Sequence, residues 1–155
     1  MSFVHREQGL IVQPGNPLNI SGFEDLCRPE VRFINRQEGA GTRVLLDQHL
    51  EKLGIVGTRI RGYDHAVSTH TEVAAAVRSS RADVGLGVRA AALAFGLDFV
   101  PIAKERFDLI VPKALFYSET VQKVLELIRS ETFIHRVEQM GGYDTHDSGK
   151  VLAWG

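Results

Sequence analysis

The sequence predicts an α/β fold with a mainly parallel sheet, formed by a single domain of 155 residues. A segment rich in β-branched and aromatic residues at 31–35 and a short glycine-containing strand at 84–88 alternate with segments of helical periodicity, at 44–53 and 73–77. Strands that alternate with helices are typical of parallel sheets. Hydrophobic residues make up 44% of the chain and charged residues 24%, which is the balance of a globular domain with a core.

Turn and capping residues predict the first elements. Residues 9–13 have the pattern of a short strand, which the prolines and the glycine of 14–17 end. Ser21 is expected to cap a short helix, and Glu24 completes a capping box there. Residues 31–35 then form the next strand.

A polar, glycine-containing turn at 36–43 separates this strand from a helix. Apolar residues recur at helical spacing up to residue 53, and Gly54 stands where a helix C-cap is expected. Strand, glycine turn and helix in this order are the plan of a phosphate-loop-like βα unit. Residues 59–63 are expected to add another strand.

The second half of the chain continues the alternation. Ser68 or Thr69 is expected to cap a helix, with Glu72 near its positive end. Residues 84–88 form a strand whose glycines mark close backbone approach, and a small helix closed by Gly96 follows. Further strands are predicted at 98–102 and 107–112. Two C-terminal helices and a loop-like tail at 141–149 complete the chain.

Charge and composition exclude several classes of partner. A formal net charge of −1 gives no basic field for nucleic acid or for an anionic membrane, so any anion site must be local. Cys27 is the only cysteine, which excludes an intrachain disulfide. The start lacks the apolar core of a signal peptide, and no apolar run approaches the ~20 residues of a membrane span. We therefore expect a cytoplasmic protein.

The first candidate site is the turn before the helix that starts near residue 41. Unpaired amides at a helix start carry partial positive charge, and glycines let the backbone curl around an anion. Thr42 adds a hydroxyl donor, whereas Arg43 and Arg36 are candidates for charge-assisted contacts. Taken alone, the same pattern also fits a plain glycine-rich helix start.

The second candidate site is the helix start at Ser68, Thr69, His70 and Thr71. Its hydroxyls have the chemistry to hold an oxyanion, but an ordinary capped helix explains them equally. In parallel α/β sheets, ligands lie at the carboxyl ends of the strands, beside helix starts. Both helix starts are therefore expected to point into one cleft.

Five segments in matching order resemble the periplasmic-binding-protein-like (type II) molybdate-binding domain, which is often fused to helix-turn-helix regulators or molybdopterin-biosynthesis proteins. These segments are 35–43, 70–77, 82–87, 97–101 and 141–144. The resemblance implies a type II binding-protein fold in which neutral donors hold an oxyanion, with molybdate or tungstate expected first. It places the donors at Ala40, Gly41, Thr42, Thr69, His70, Thr71 and near Val88.

The resemblance also implies a division of the chain into lobes. Residues 20–105 correspond to one complete second lobe, and residues 6–18 and 106–140 correspond to crossover segments with a remnant of the first lobe. Most of the family's first lobe is absent from the chain. We therefore expect a fragment, a site completed by a partner, or loss of tight binding. Apolar surface that the absent lobe normally covers favours a homodimer.

Enzyme functions find little support in the sequence. The six histidines show no metalloprotease spacing, Ser68 and His70 lack the acid of a triad, and the glycine turn lacks the P-loop lysine. The tail residues Tyr143, Asp144, His146 and Asp147 have metal-binding chemistry, but a solvated polar tail is favoured, and no metal or cofactor is predicted.

The predicted function is therefore non-enzymatic binding or sensing of an oxyanion. It would be linked to molybdenum metabolism or to transcriptional regulation through a separate DNA-binding partner protein. The alternative is a protein interaction or dimerisation module that has lost tight ligand binding.

Overall fold

The computed structural model describes residues 1–152, which alternate strands and helices as an α/β protein. The strands are β1 (Ser2–Val12), β2 (Phe33–Arg36), β3 (Ala66–Val67), β4 (Val84–Val88), β5 (Asp98–Asp108) and β6 (Tyr143–Asp144). The α-helices are α1 (Gly41–Lys52), α2 (His70–Arg78), α3 (Arg89–Ala94), α4 (Glu119–Arg129) and α5 (Glu131–Gln139). Short 3-10 helices lie at Phe23–Cys27, Gly57–Arg59 and Lys113–Leu115.

The chain divides into two compact units. The larger unit is Gln8–Ala103, and the smaller unit is Met1–Glu7 together with the residues from Lys104 onwards. In the larger unit, β2 is parallel to both β3 and β4, and β4 is antiparallel to β1. The full strand order is β3-β2-β4-β1-β5, and β6 pairs with β1 in the smaller unit.

Helices cover both faces of the sheet in the larger unit. On one face, Leu46 and Leu50 of α1 pack with Leu10 and Val12 of β1 in a single buried cluster. On the other face, Ile11 joins a cluster built from α2 and α3. Neighbouring residues of β1 thus enter opposite cores, because successive side chains of a strand point to opposite faces. This layered arrangement confirms the predicted α/β class.

The helix limits that capping residues predict are confirmed for the start of α2 and for the ends of α1 and α3. The structure begins α2 after Thr69, whose hydroxyl oxygen accepts from the Glu72 amide at 3.1 Å. Gly54 and Gly96 follow α1 and α3 with positive φ angles of 66° and 62°, which suits residues without a Cβ. The prediction for Ser21 was wrong: the 3-10 helix starts after Gly22, and the carboxylate of Asp25, not Glu24, accepts from the Ser21 amide.

Three strand predictions need correction. Residues 59–63 form no strand, because a 3-10 helix ends at Arg59 and Gly62 turns with a φ of 97°. The segments 98–102 and 107–112 are not separate strands, since β5 continues through the charged residues between them and ends at Asp108. The tail is not only loop, because β6 pairs with β1 at His5 and Arg6. Pairing with β1, which is distant in sequence, decided the limits of β5 and β6.

The smaller unit contains α4, α5 and β6. Both helices are capped by serine hydroxyls, Ser118 for α4 and Ser130 for α5. Within residues 1–152, none of the helices has the length and apolar character needed to cross a membrane.

Candidate functional site

Three helices of the larger unit begin at the same edge of the sheet. Strands β2, β3 and β4 are parallel, and their last residues are followed by α1, α2 and α3. The Gln37 amide donates to the Val67 carbonyl at 3.0 Å, which ties the turn before α1 to the turn before α2. The two predicted helix starts are therefore neighbours, at the edge where ligands of such sheets bind.

The start of α1 lacks a side-chain cap. Its N-cap residue is Ala40, which has no side chain able to accept the first amides, and Gly39 before it turns with a φ of 82°. The first amides of a helix have no acceptor within the helix. A Cβ added to Gly41 would meet no atom within 4 Å, so the space in front of this residue is open. The first amides of α1 are therefore candidate donors to an anion.

Thr42 makes a contact that the sequence does not predict. Its side chain is buried, and its hydroxyl donates to Oε1 of Gln8 at 2.7 Å. The hydroxyl therefore orients the side chain of Gln8. The sequence predicts instead that the Thr42 hydroxyl faces an anion directly. This bond joins α1 to the first strand.

Gln8 is a candidate site residue that the sequence does not single out. It is fully buried and lies opposite Val88, at the end of β4. Its Nε2 has no hydrogen-bond partner among the described residues. A buried donor left unpaired costs about 1–3 kcal/mol. A ligand atom that accepts a hydrogen bond from Nε2 would remove this cost. The available signal was a polar residue directly before the apolar run 10–12.

The start of α2 is largely satisfied by its own capping box. The Glu72 carboxylate accepts from the Ser68 amide at 2.9 Å and from the Thr69 amide at 2.8 Å. The hydrogen bond from the Thr69 backbone is the main reason why the pKa of Glu72 lies below its usual value. Ser68 and Thr69 thus already serve a carboxylate, and His70 and Thr71 follow as the first residues of α2.

The two candidate arginines have different surroundings. The guanidinium of Arg36 lies 3.0 Å from Nδ1 of His70 and donates to the Ser68 carbonyl at 2.8 Å, so it brings positive charge to the α2 start. Arg43 instead stacks on the Tyr63 ring, 4.3 Å from its centroid, and donates to Asp47 at 3.0 Å. The Arg43 side chain is therefore held by Asp47 of α1 and by Tyr63.

Glycines of β4 bring His70 close to the strand, and Val88 ends it. A Cβ added to Gly87 would lie 3.4 Å from Nδ1 of His70 and 2.8 Å from Ile11. The predicted close approach at the glycines of 84–88 is thus confirmed.

Val88 is buried, and it precedes α3 without a side-chain cap. The edge therefore gathers Gln8, Arg36, Thr42 and His70 with the starts of all three helices.

The chain has relatives of known sequence. Residues 1–129 match the family model described as the PBP superfamily domain. The uncharacterized protein YvgK of Bacillus subtilis (strain 168) is 39% identical over 152 residues, which make up 98% of this chain and 49% of YvgK. The chain thus spans about half the length of this relative.

Solved structures of binding proteins share the fold. PEB3 with bound L-phospholactate has a TM-score of 0.62 at 18% identity, covering 94% of this chain and 68% of PEB3. A domain described as the substrate-binding domain of a molybdenum ABC transporter from Clostridium difficile has a TM-score of 0.57 at 22% identity, covering 93% of this chain and 65% of that one. These identities support a common fold and no more. The match of the family model over residues 1–129 shows that this chain belongs to the PBP superfamily.

Proposed function

We propose that the sheet edge at the starts of α1, α2 and α3 binds a small oxyanion. The observation that carries the proposal is the buried Nε2 of Gln8, which lacks an acceptor among the described residues while its Oε1 is held by Thr42. An anion beside the uncapped start of α1 would supply that acceptor and would receive the first amides of the helix.

The donors of this site are mainly neutral. They are the amides of Gly41 and Thr42, the side-chain amide of Gln8, and the first amides of α2. Arg36 adds one guanidinium next to His70. Such a set spreads the charge of a dianion over helix ends and a single cation, so no direct ion pair is required. Arg43, Ser68 and Thr69 are left out of the inner set because their donors serve Asp47 and Glu72.

Molybdate or tungstate is the ligand we propose first. The sequence resemblance to molybdate-binding domains supports this choice, as does a structural neighbour described as part of a molybdenum transporter. PEB3, a second neighbour, was solved with L-phospholactate, which also carries an oxyanion. The proposed role is binding or sensing, not catalysis, with any regulation of transcription exerted through a partner that binds DNA.

Titration of the purified chain with molybdate, tungstate, sulfate and phosphate tests the proposal. We expect binding heat and a raised Tm with molybdate or tungstate, because a ligand that binds only the native state stabilises it by about 2.7 kcal/mol at 100 times its Kd. A flat response to all four anions would refute oxyanion binding.

Variants of the Gln8–Thr42 pair assign the site. Thr42→Val removes the hydroxyl that holds Oε1 of Gln8, so the Gln8 amide loses its orientation and anion binding is expected to weaken by about 0.5–1.5 kcal/mol, the usual net value of one hydrogen bond. The double variant Gln8→Leu/Thr42→Val removes both partners at once, so its stability should stay near wild type while anion binding is lost. Thr145→Val is the matched control, since it removes a buried hydroxyl that donates to Glu138 in the smaller unit. Unchanged affinity in the double variant would exclude this pair from the site.

An interaction module is the second candidate function, and exposed apolar side chains of the smaller unit favour it. Ile110 is 96% exposed and Tyr117 is 78% exposed, so their apolar surface is accessible to a partner. If the chain dimerises through them, Ile110→Glu should shift the mass measured by light scattering from dimer to monomer. Val56→Glu, at an exposed position of the larger unit, should leave the mass unchanged.

A further inference from the structure

The tail of the chain returns to the first strand and brings two histidines and an aspartate together. Strand β6 pairs with β1 so that Asp144 lies opposite His5. One residue separates β6 from His146 and Asp147. Asp147 contacts His5, although these two residues are 142 positions apart in the sequence. The sequence therefore shows only part of the cluster, and the fold supplies His5.

The geometry of this cluster suits a metal ion. Nε2 of His5 lies 3.0 Å from Oδ1 of Asp147, and Nε2 of His146 lies 3.9 Å from Oδ2 of the same carboxylate. One ligand atom from each residue can be chosen so that all lie within 4.8 Å of one another. In a tetrahedral zinc site with bonds of about 2.0–2.1 Å, the ligand atoms lie roughly 3.3 Å from one another. This separation falls between the two nitrogen–oxygen distances of the cluster, 3.0 Å and 3.9 Å.

Neighbouring side chains orient the candidate ligands. Nδ1 of His146 lies 2.9 Å from the Asp144 carboxylate, which favours the neutral tautomer that has its proton on Nδ1 and its lone pair on Nε2. The hydroxyl of Ser2 donates to Oδ1 of Asp147 at 2.9 Å. The Gly149 amide donates to the Ser2 carbonyl at 2.8 Å, which fixes the segment after Asp147 on the strand. A carboxylate behind a ligating histidine is the usual outer shell of a zinc site.

We propose that His5, His146 and Asp147 bind Zn²⁺. Two imidazoles and one carboxylate, without thiolate, leave a coordination position for water and match the ligands of zinc sites that keep an open position. His146 is 61% exposed, so the ion has access from solvent. Binding replaces the contact between His5 and Asp147 with two coordinate bonds and fastens the tail to β1. This site lies in the smaller unit and does not depend on the oxyanion proposal.

Metal titration of the untagged full chain tests the site. We expect one Zn²⁺ per chain by calorimetry, a Zn²⁺-dependent rise in Tm that EDTA reverses, and the visible absorption of four-coordinate Co²⁺ on substitution. Asp144→Asn should weaken Zn²⁺ binding by about tenfold to a hundredfold, as expected for an outer-shell carboxylate. His146→Gln should weaken it more, because it removes a ligand.

His135→Gln is the matched control, since His135 is an exposed histidine of α5 in the same unit. It should bind Zn²⁺ as the wild type does, and circular dichroism should show all variants folded. Absence of stoichiometric Zn²⁺ binding in the wild type would overturn the proposal. Equal affinity of wild type and folded His146→Gln would overturn it too.

Discussion

The two units of the chain bury apolar surface to different extents. In Gln8–Ala103, two clusters of buried residues fill both faces of the sheet. Among the described residues of the smaller unit, the buried hydrophobic ones are Val4, Leu125 and Ile128, whereas large apolar side chains such as Ile110, Tyr117 and Leu127 are exposed. Because burial of apolar area is the main stabilising contribution, we expect the larger unit to contribute most of the folding free energy.

The polar sites of the two units differ in the same way. The larger unit presents backbone amides and one buried side-chain amide at strand ends, which a rigid scaffold holds in place. The smaller unit presents exposed or half-buried imidazoles and carboxylates, held by hydrogen bonds between its first residues and its tail. The first arrangement suits an anion and the second suits a cation, so the two proposals are separable by experiment.

Core truncation tests the difference in burial and should give the largest effect. Leu46→Ala removes a fully buried side chain from the larger unit, and we expect a loss of about 2–5 kcal/mol in the free energy of unfolding. Leu125→Ala, at an equally buried position in the smaller unit, should cost less because fewer buried apolar residues surround it. Urea denaturation followed by circular dichroism measures both. Equal losses would contradict the comparison.

Helix caps give a smaller effect that sharpens the comparison. Thr69 caps α2 in a full capping box with Glu72, whereas Ser130 caps α5 through the Phe133 amide alone. Thr69→Ala should therefore destabilise the protein by about 1 kcal/mol, and Ser130→Ala by less. Thermal unfolding monitored at the helical circular dichroism band provides the measurement. A larger loss in Ser130→Ala would show that the smaller unit depends on local helix stability.

Acid sensitivity should show the smallest of these effects. Hydrogen bonds from the Arg32 side chain hold the pKa of Asp83 below its usual value. The contribution of the Asp83–Arg32 contact to the free energy of unfolding is therefore fully present above the unfolded-state pKa of Asp83, about 3.9. It is lost as the pH falls through the lower pKa of Asp83 in the folded protein. Asp83→Asn should destabilise the protein at neutral pH, and the difference from wild type should shrink in acid.

Asp108→Asn is the matched variant in the smaller unit, where Asp108 pairs with Arg106 two residues away. Denaturation curves at several pH values compare the two variants with wild type. We expect the neutral-pH loss to be smaller in Asp108→Asn, because this pair joins residues of one strand. A difference between Asp83→Asn and wild type that stays constant across the acid range would contradict the assigned role of Asp83.

Local signals predicted the helices more accurately than the strands. The spacing of Val73, Ala76 and Val77 and the cap at Thr69 determined α2 without reference to other parts of the chain. Strand limits depended on partners: β5 continues through charged residues, and β6 exists because β1 lies beside it. A helix satisfies its hydrogen bonds within one segment, whereas a strand needs another segment to do so.

The sequence by itself determined the α/β class and where α1 and α2 begin, near residues 41 and 70, because capping residues, glycines and apolar spacing act locally. Only the tertiary structure decided that Gln8 is buried beside Thr42 and that His5 meets Asp147. Both contacts join residues distant along the chain. Burial and proximity of this kind arise when strands pair, and no local pattern encodes them.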